Sequence, residues 1–499
     1  MCDSKAGRDY GMGQWRGAFE SELGTTRCGV RIINPPDDCT FMKSIALTLL
    51  SACTLLLASS ALGQNRLDPS QMEEDLFALG DAFDLEHAGL RRFTNVEDFD
   101  DAFFSAVALC SEPRTRLEFF RCLSVLVAHV RCGHTRVQLD DGVIAREIGE
   151  HGLLPIEVHL LGERAFVLST IGDGVPLQPG QELLSINGQS IFEIRHEAFR
   201  HMSGDGFIET GKQRALERNF AVYYSTLVAR LDPERKDFEV RIAGSDEALT
   251  VGGISYSTYA SRSPRTERRE LMELTREAEG VERLFIRGFG DPDGDGPSFP
   301  KQLEAHFTDI NRRKVSTLIL DLRGNGGGND MYGAMTVFYL SPRPFRYFER
   351  IEVSQDYEGE GGIVERDGMW LVTEHPGTQL QQPAAARFHG RAFLLTDGRT
   401  FSTAADVATV AHFNGLATLI GEESGGGYDG NTSGTTDRRS LPNSGISYSV
   451  PKWMYTTANV GHDQFGQGAP VHFQIRPTVQ DILDGRDAEV AHVLELLDM

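Results

Sequence analysis

Positive charge is scarce in this chain: 49 Lys and Arg face 72 Asp and Glu, a formal net charge of −23 over 499 residues. Binding to nucleic acid or to an anionic membrane needs concentrated positive charge, so neither is expected as a partner. No Gly-Lys-Ser/Thr follows the glycine cluster at 324–328, and its spacing is not that of a dinucleotide fingerprint, which disfavours phosphate binding. A Gly-x-Ser-x-Gly elbow is also missing, which removes the usual signature of an esterase. No Cys/His spacing matches a zinc site. Residues Asp291 to Gly296 imitate the start of a calcium loop, but the twelfth position is Gln302, so the bidentate carboxylate is lacking and a solvated turn is expected. Neither a metal nor a cofactor is called for.

Cysteine is sparse as well. Met42-Lys43-Ser44, the apolar run from Ile45 to Leu57 and the small residues Ala58 to Gly63 have the order of a secretory signal. The segment 1–41 before it is polar and Gly-rich, and is read as a non-native leader, with 42–63 as the signal peptide. Leu50-Ser51-Ala52-Cys53 resembles a lipoprotein box, but the apolar run continues past Cys53, so cleavage is expected near Ala61 or Gly63. The mature chain would then begin near Leu62 or Gln64 and be periplasmic or secreted. Of seven cysteines it would retain Cys110, Cys122 and Cys132. A Cys110–Cys122 bridge suits an oxidising compartment, with the other two pairings left open.

What is present divides the remainder by texture. Apolar residues recur at helical spacing through Leu117, Phe120, Val125 and Leu126, predicting a helical domain over 64–150. From Leu153 the pattern changes to short strands and turns, giving a β-rich module over 151–255. Beyond it, strands such as Arg283–Ile286 and Ala392–Leu395 alternate with amphipathic helices, so 256–499 reads as an α/β core.

Two segments of that core carry chemistry. Val315 to Leu322 reads as a buried strand running into Arg323-Gly324-Asn325-Gly326-Gly327-Gly328, where glycines let backbone N–H groups approach a ligand. Further on, Gly398-Arg399-Thr400-Phe401-Ser402-Thr403 precedes an apolar helical run. A serine there is either an ordinary N-cap or a nucleophile beside the unsatisfied N–H groups of a first helical turn.

The series Leu318-Ile319-Leu320-Asp321-Leu322-Arg323-Gly324-Asn325-Gly326-Gly327, then Phe401 to Asp406, then Gly421-Glu422, resembles the tail-specific (C-terminal-processing) serine protease family. Cys132-Gly133-His134-Thr135, Leu183 to Gly188 and Leu441-Pro442-Asn443-Ser444 extend the likeness in the family's order. The resemblance implies a crotonase/ClpP-like α/β catalytic core, a PDZ-like module at 151–255 that either binds extended peptide by strand addition or serves packing alone, and a peptide or unfolded protein as substrate. It also implies a serine endopeptidase: Ser402 attacks the peptide carbonyl, and the oxyanion is held by backbone N–H groups of Thr403 and of Gly326 or Gly327. A peptide- or lipid-binding protein without turnover on the same fold is the competing reading.

The proton acceptor separates the family's branches. Ser–Lys members carry a lysine in the segment occupied here by Gly425-Gly426-Gly427, and the only lysine after Ser402 is Lys452. The tricorn-core and interphotoreceptor retinoid-binding protein branch instead uses an early histidine, which points to His134. That branch also uses a serine where this chain has Gly133, and a late glutamate. No glutamate lies between Glu423 and Glu489, leaving Asp463 as the candidate orienting carboxylate. A histidine base of ordinary pKa would lose activity as pH falls through about 6 to 7.

Overall fold

The computed structural model describes residues 66–498 except 231, 233, 263–269, 293–296, 355–356, 358, 360–361 and 459–463. The signal pattern, the lipoprotein box, most of the calcium-like loop and Asp463 therefore lie outside the described residues. Residues 67–499 form one compact unit.

Three helices come first: α1 (Pro69–Glu86), α2 (Val96–Leu109) and α3 (Arg116–His129). Each starts where the sequence supplies a cap. Asn95 Oδ1 accepts from the Asp98 N–H, and Thr115 and Glu118 form a reciprocal capping box at α3. Helix α3 buries Leu117, Leu123, Leu126 and Val127; of the residues that the periodicity marked, Leu117 and Leu126 are buried, whereas Phe120 and Val125 are only partly so.

An antiparallel six-stranded sheet follows, with β1 (Ile156–Leu161), β2 (Arg164–Thr170), β3 (Glu182–Ile186), β4 (Asp237–Ile242) and β5 (Leu249–Gly252) in that spatial order and the short strand Gln189–Ser190 paired to β3. Between β3 and β4 the chain forms helices α4 (Ile191–Arg200) and α5 (Thr210–Arg218). Strand β4 alternates exposed and buried residues along its length, with Phe238, Val240 and Ile242 inside, the pattern of a sheet covered on one face.

The remaining half is the α/β core. In chain order it comprises β6 (Met272–Ala278), β7 (Val281–Ile286), α6 (Phe299–Arg312), β8 (Thr317–Asp321), α7 (Asp330–Phe338), β9 (Phe348–Val353), β10 (Ile363–Arg366), β11 (Met369–Val372), β12 (Arg391–Thr396), α8 (Thr403–Phe413), β13 (Thr418–Gly421), β14 (Thr432–Ser440), β15 (Ser447–Thr457), β16 (Phe473–Gln474) and α9 (Ala488–Asp498). The central sheet runs β6-β7-β8-β12-β13-β16, parallel from β7 onward. Its middle strand β8 is buried at every residue, which is why Thr-Leu-Ile-Leu-Asp reads as a continuous run and not an alternation. A second sheet runs β10-β11-β9-β15-β14, and Val137–Gln138 adds to it beside Tyr448 and Ser447. Through that short pairing the chain around Cys132 to Thr135 is carried from the helical region to the core.

Candidate active site

Adjacent parallel strands β8 and β12 send their carboxyl ends into the two segments that the sequence marked, the position where open α/β sheets place ligands. At the exit of β8, the fully buried Asp321 receives two hydrogen bonds from the Arg323 guanidinium, at 3.0 and 2.6 Å, and Arg323 also reaches Asp487 and Glu489. Burial raises the Asp321 pKa, and the Arg323 charge opposes that shift. Next in the loop, Asn325 donates to the Ile286 carbonyl, accepts the Gly327 N–H at 2.9 Å on its side-chain oxygen, and accepts the Phe401 N–H at 3.0 Å on its carbonyl. Thr400 ties the second loop to the first by donating its hydroxyl to the Leu322 carbonyl at 3.0 Å.

Ser402 sits at the head of α8, but it is not a cap. Its side chain makes no capping hydrogen bond, and its backbone has φ 54° and ψ −132°, whereas a capping serine is extended. A residue with a Cβ holds such a conformation at a cost of about 1–3 kcal/mol, so the surroundings must impose it. They do so by close approach. A Cβ added to Gly327, itself at φ +99°, would lie 2.6 Å from Ser402 Cβ and 3.0 Å from the Thr403 nitrogen, and one added to Gly426 would lie 3.0 Å from the Ser402 nitrogen. Gly327→Ala is accordingly expected to push the nucleophile turn out of place, with a loss in kcat/KM of at least about a hundredfold for a displacement near 1 Å. Steady-state kinetics beside circular dichroism checks this; full activity in a folded Gly327→Ala protein would show that the turn has slack.

His134 and Ser402 line the same cavity of about 390 Å³, with Gly328, Asn329, Asp330, Met331, His375, Ser433 and Gly434. The His134 ring stacks on Phe401, centroids 4.6 Å apart, and Ser449 donates its hydroxyl to the His134 carbonyl at 2.8 Å. This stack explains the glycine where the related branch has serine. A Cβ at position 133 would stand 2.7 Å from the Phe401 ring. The Gly133 N–H donates at 2.7 Å to Oδ1 of the buried Asp205, whose Oδ2 accepts from Gly427 at 3.4 Å, so one carboxylate joins the histidine turn to the glycine segment after Glu423.

His134 and Ser402 are both half-buried in the cavity wall. Burial pushes the His134 pKa down to about 3, with the nearby Arg136 charge acting in the same direction. Its Nδ1 is buried and finds no hydrogen-bond partner among the described residues. Burial pushes the Asp205 carboxyl up to about 6 against the pull of the Gly133 N–H and Arg92. Ligand-capable atoms of Cys132, His134 and Asp205 lie within 4.8 Å of one another, a juxtaposition that the sequence did not reveal because Asp205 comes 72 residues after Gly133.

Lys452, the alternative base, does not line this cavity: its ammonium pairs with Asp437 at 2.8 Å and Glu86 at 3.1 Å, and those partners raise its pKa, the opposite of what a general base requires. Gly327 is not a spare oxyanion donor, since its N–H is already given to Asn325. Gly326 and Thr403 N–H have no acceptor among the described residues, and a Cβ on Gly326 would meet open space. The sequence reading also missed His375, whose Nε2 lies 3.7 Å from Asp330 Oδ2 in the same cavity; Asp330 in turn accepts the Thr403 hydroxyl at 3.2 Å. A lone histidine in a loop leaves no periodic signal.

Residues 286–471 match peptidase family S41. Among solved structures, mature CPAF complexed with lactacystin superposes with TM-score 0.61 at 14% identity, covering 86% of this chain and 97% of that one. Another structure of mature CPAF gives 0.60 at 14% identity, over 86% and 96%. The photosystem II D1 C-terminal processing protease gives 0.38 at 14% identity, over 82% and 93%. No curated protein sequence matches. The protein is a serine-type peptidase with a mixed α/β fold. Its residues 286–471 are similar to peptidase family S41, and its substrates are peptides or proteins.

Proposed function

We propose that the chain is an exported endopeptidase that cleaves peptide bonds through an acyl-enzyme on Ser402, with His134 as general base and then general acid. The observation that carries this reading is the strained, uncapped backbone of Ser402 at the head of α8, in one cavity with His134. In the first step the Ser402 hydroxyl attacks the carbonyl carbon while its proton passes to His134. The N–H groups of Gly326 and Thr403 supply the two donors for the resulting oxyanion. Collapse of the tetrahedral intermediate expels the amine, which takes the proton back from His134, and water then repeats the sequence to release the acid.

The acid limb of the pH profile tests this arrangement. His134 accepts a proton only while neutral. With its pKa pushed down to about 3, it stays neutral well below the range of a solvated imidazole. Hydrolysis of one unstructured peptide should therefore hold nearly level as pH falls from 8 through 6, and decline only in more acid solution. A fall of about threefold between pH 7 and 6, with the protein still folded by circular dichroism, would be the behaviour of an ordinary solvated histidine of pKa about 6.5 and would overturn this arrangement.

Export rests on the order of residues 42–63. Expressed with its full leader, the protein should be recovered from the periplasm or medium with a first residue near Leu62 or Gln64. Cell-retained protein beginning at Met1 would refute it. Cys110, Cys122 and Cys132 are buried free thiols in this structure, so the Cys110–Cys122 bridge favoured from the sequence is not formed in it.

A further inference from the structure

Behind His134 the fold gathers a thiol, an imidazole and a carboxylate: ligand-capable atoms of Cys132, His134 and Asp205 all lie within 4.8 Å of one another. The carboxylate arrives from the distant segment between α4 and α5, which is why no zinc spacing shows in the sequence. Cys132 and Asp205 are buried, while His134 is half-buried and opens on the Ser402 cavity, which gives a small ion a way in. None of the three is fully committed. Cys132 Sγ donates one hydrogen bond, to the Thr432 carbonyl at 3.3 Å. Asp205 accepts the Gly133 N–H at 2.7 Å on one oxygen and the Gly427 N–H at 3.4 Å on the other, and each oxygen keeps a further lone pair. Arg92, whose charge acts on Asp205, gives its guanidinium to the Tyr455 and Asp429 carbonyls at 3.0 and 2.8 Å instead of to the carboxylate. His134 Nδ1 has no partner among the described residues.

Sulfur, imidazole nitrogen and carboxylate oxygen together are a donor set for Zn²⁺: the thiolate selects against Mg²⁺ and Ca²⁺, and three protein ligands leave a fourth position for water. Binding a divalent cation draws the proton off the Cys132 thiol and releases it to solvent, after which thiolate and carboxylate balance the charge of the ion. The consequence for His134 follows from its own inventory. A neutral imidazole carries one N–H and one in-plane lone pair, so a metal on that lone pair leaves none to take the Ser402 proton, whichever nitrogen it occupies. We infer that Cys132, His134 and Asp205 form an inhibitory zinc site, at which the ion holds the base and keeps the peptidase off until the metal is withdrawn. The inhibition rests on the peptidase reading above; the binding of metal does not.

The binding arm of the test uses chelator-treated Ser402→Ala, so its outcome does not depend on turnover. Zn²⁺ followed by calorimetry should bind once per chain with a Kd of about 1 μM or tighter. Co²⁺ in the same protein should give a sulfur-to-metal charge-transfer band in the near ultraviolet. Added Cys132→Ser keeps a donor for the Thr432 carbonyl, and there the band should vanish and the Zn²⁺ affinity fall by at least about a hundredfold. Asp205→Asn, which keeps an oxygen for the Gly133 N–H, should weaken Zn²⁺ by a similar factor, so the assignment does not hang on one variant. With Ser402 intact, peptide hydrolysis should drop at least about tenfold as Zn²⁺ saturates the site and return with EDTA, whereas Cys132→Ser should hydrolyse at the metal-free rate in the same Zn²⁺. Failure to bind one ion per chain, or binding that both substitutions leave unchanged, would overturn the site. Binding that requires Cys132 while hydrolysis continues undiminished would uphold the metal ligands and overturn both the inhibition and His134 as the base.

Discussion

Ser402→Ala is expected to lower kcat/KM for peptide hydrolysis by about a million-fold, the loss seen when a serine nucleophile is removed from an established triad. The structure explains why the fold should survive. The Ser402 hydroxyl makes no capping bond to α8, so deleting it leaves no orphaned partner, and an alanine has the same Cβ to hold at φ 54°. The strain and the close packing of Gly327 and Gly426 are thus unchanged. Thermal unfolding should coincide with wild type within error. A protein that unfolds early would make its lost activity uninformative, whereas a folded Ser402→Ala that still turns over would remove Ser402 from the chemistry.

His134→Ala carries the second large effect, a loss of about ten-thousand-fold to a million-fold, because without a base the hydroxyl must surrender its proton to water. Two other variants give the result its meaning. Lys452→Ala breaks a partly exposed pair with Asp437 and Glu86 and should cost no more than about 1 kcal/mol of stability, with turnover retained. His375→Ala tests the other imidazole of the cavity, whose carboxylate partner Asp330 lies 3.7 Å away. If it falls a hundredfold or more while His134→Ala remains active, the base is His375 and its orienting carboxylate is Asp330.

Much of this was legible in the residues themselves. Periodicity marked a helical region that includes α3, Val315 to Leu322 read as a buried strand and Thr317–Asp321 is one, and the glycines after it marked a loop of close backbone approach. Ser402 was visible as one of two things, a cap or a nucleophile, and only the backbone angles distinguish them. Less legible was anything built from residues far apart in the chain. Asp205 meets Gly133 across 72 residues and Gly427 across 222, so neither spacing nor composition could pair them. The role of Gly327 was misjudged for a local reason: clustered glycines advertise free N–H groups, but Asn325 folds back and takes one. Lys452 was drawn toward the site because it was the last lysine in the sequence, and its two acidic partners lie 366 and 15 residues away from it. The sequence gives the histidine its solution pKa, whereas burial in the fold pushes the His134 pKa down to about 3 and moves the expected acid limb with it.

Covalent labelling with a fluorophosphonate, followed by peptide mass mapping, probes the pairing of Ser402 with His134 without recourse to a chosen substrate. Folded wild-type protein should carry a single adduct at Ser402, formed at a rate that collapses in His134→Ala and persists in Lys452→Ala. An unlabelled Ser402 in folded, full-length protein, or labelling whose rate is indifferent to His134, would contradict the pairing of these two residues on which the mechanism rests.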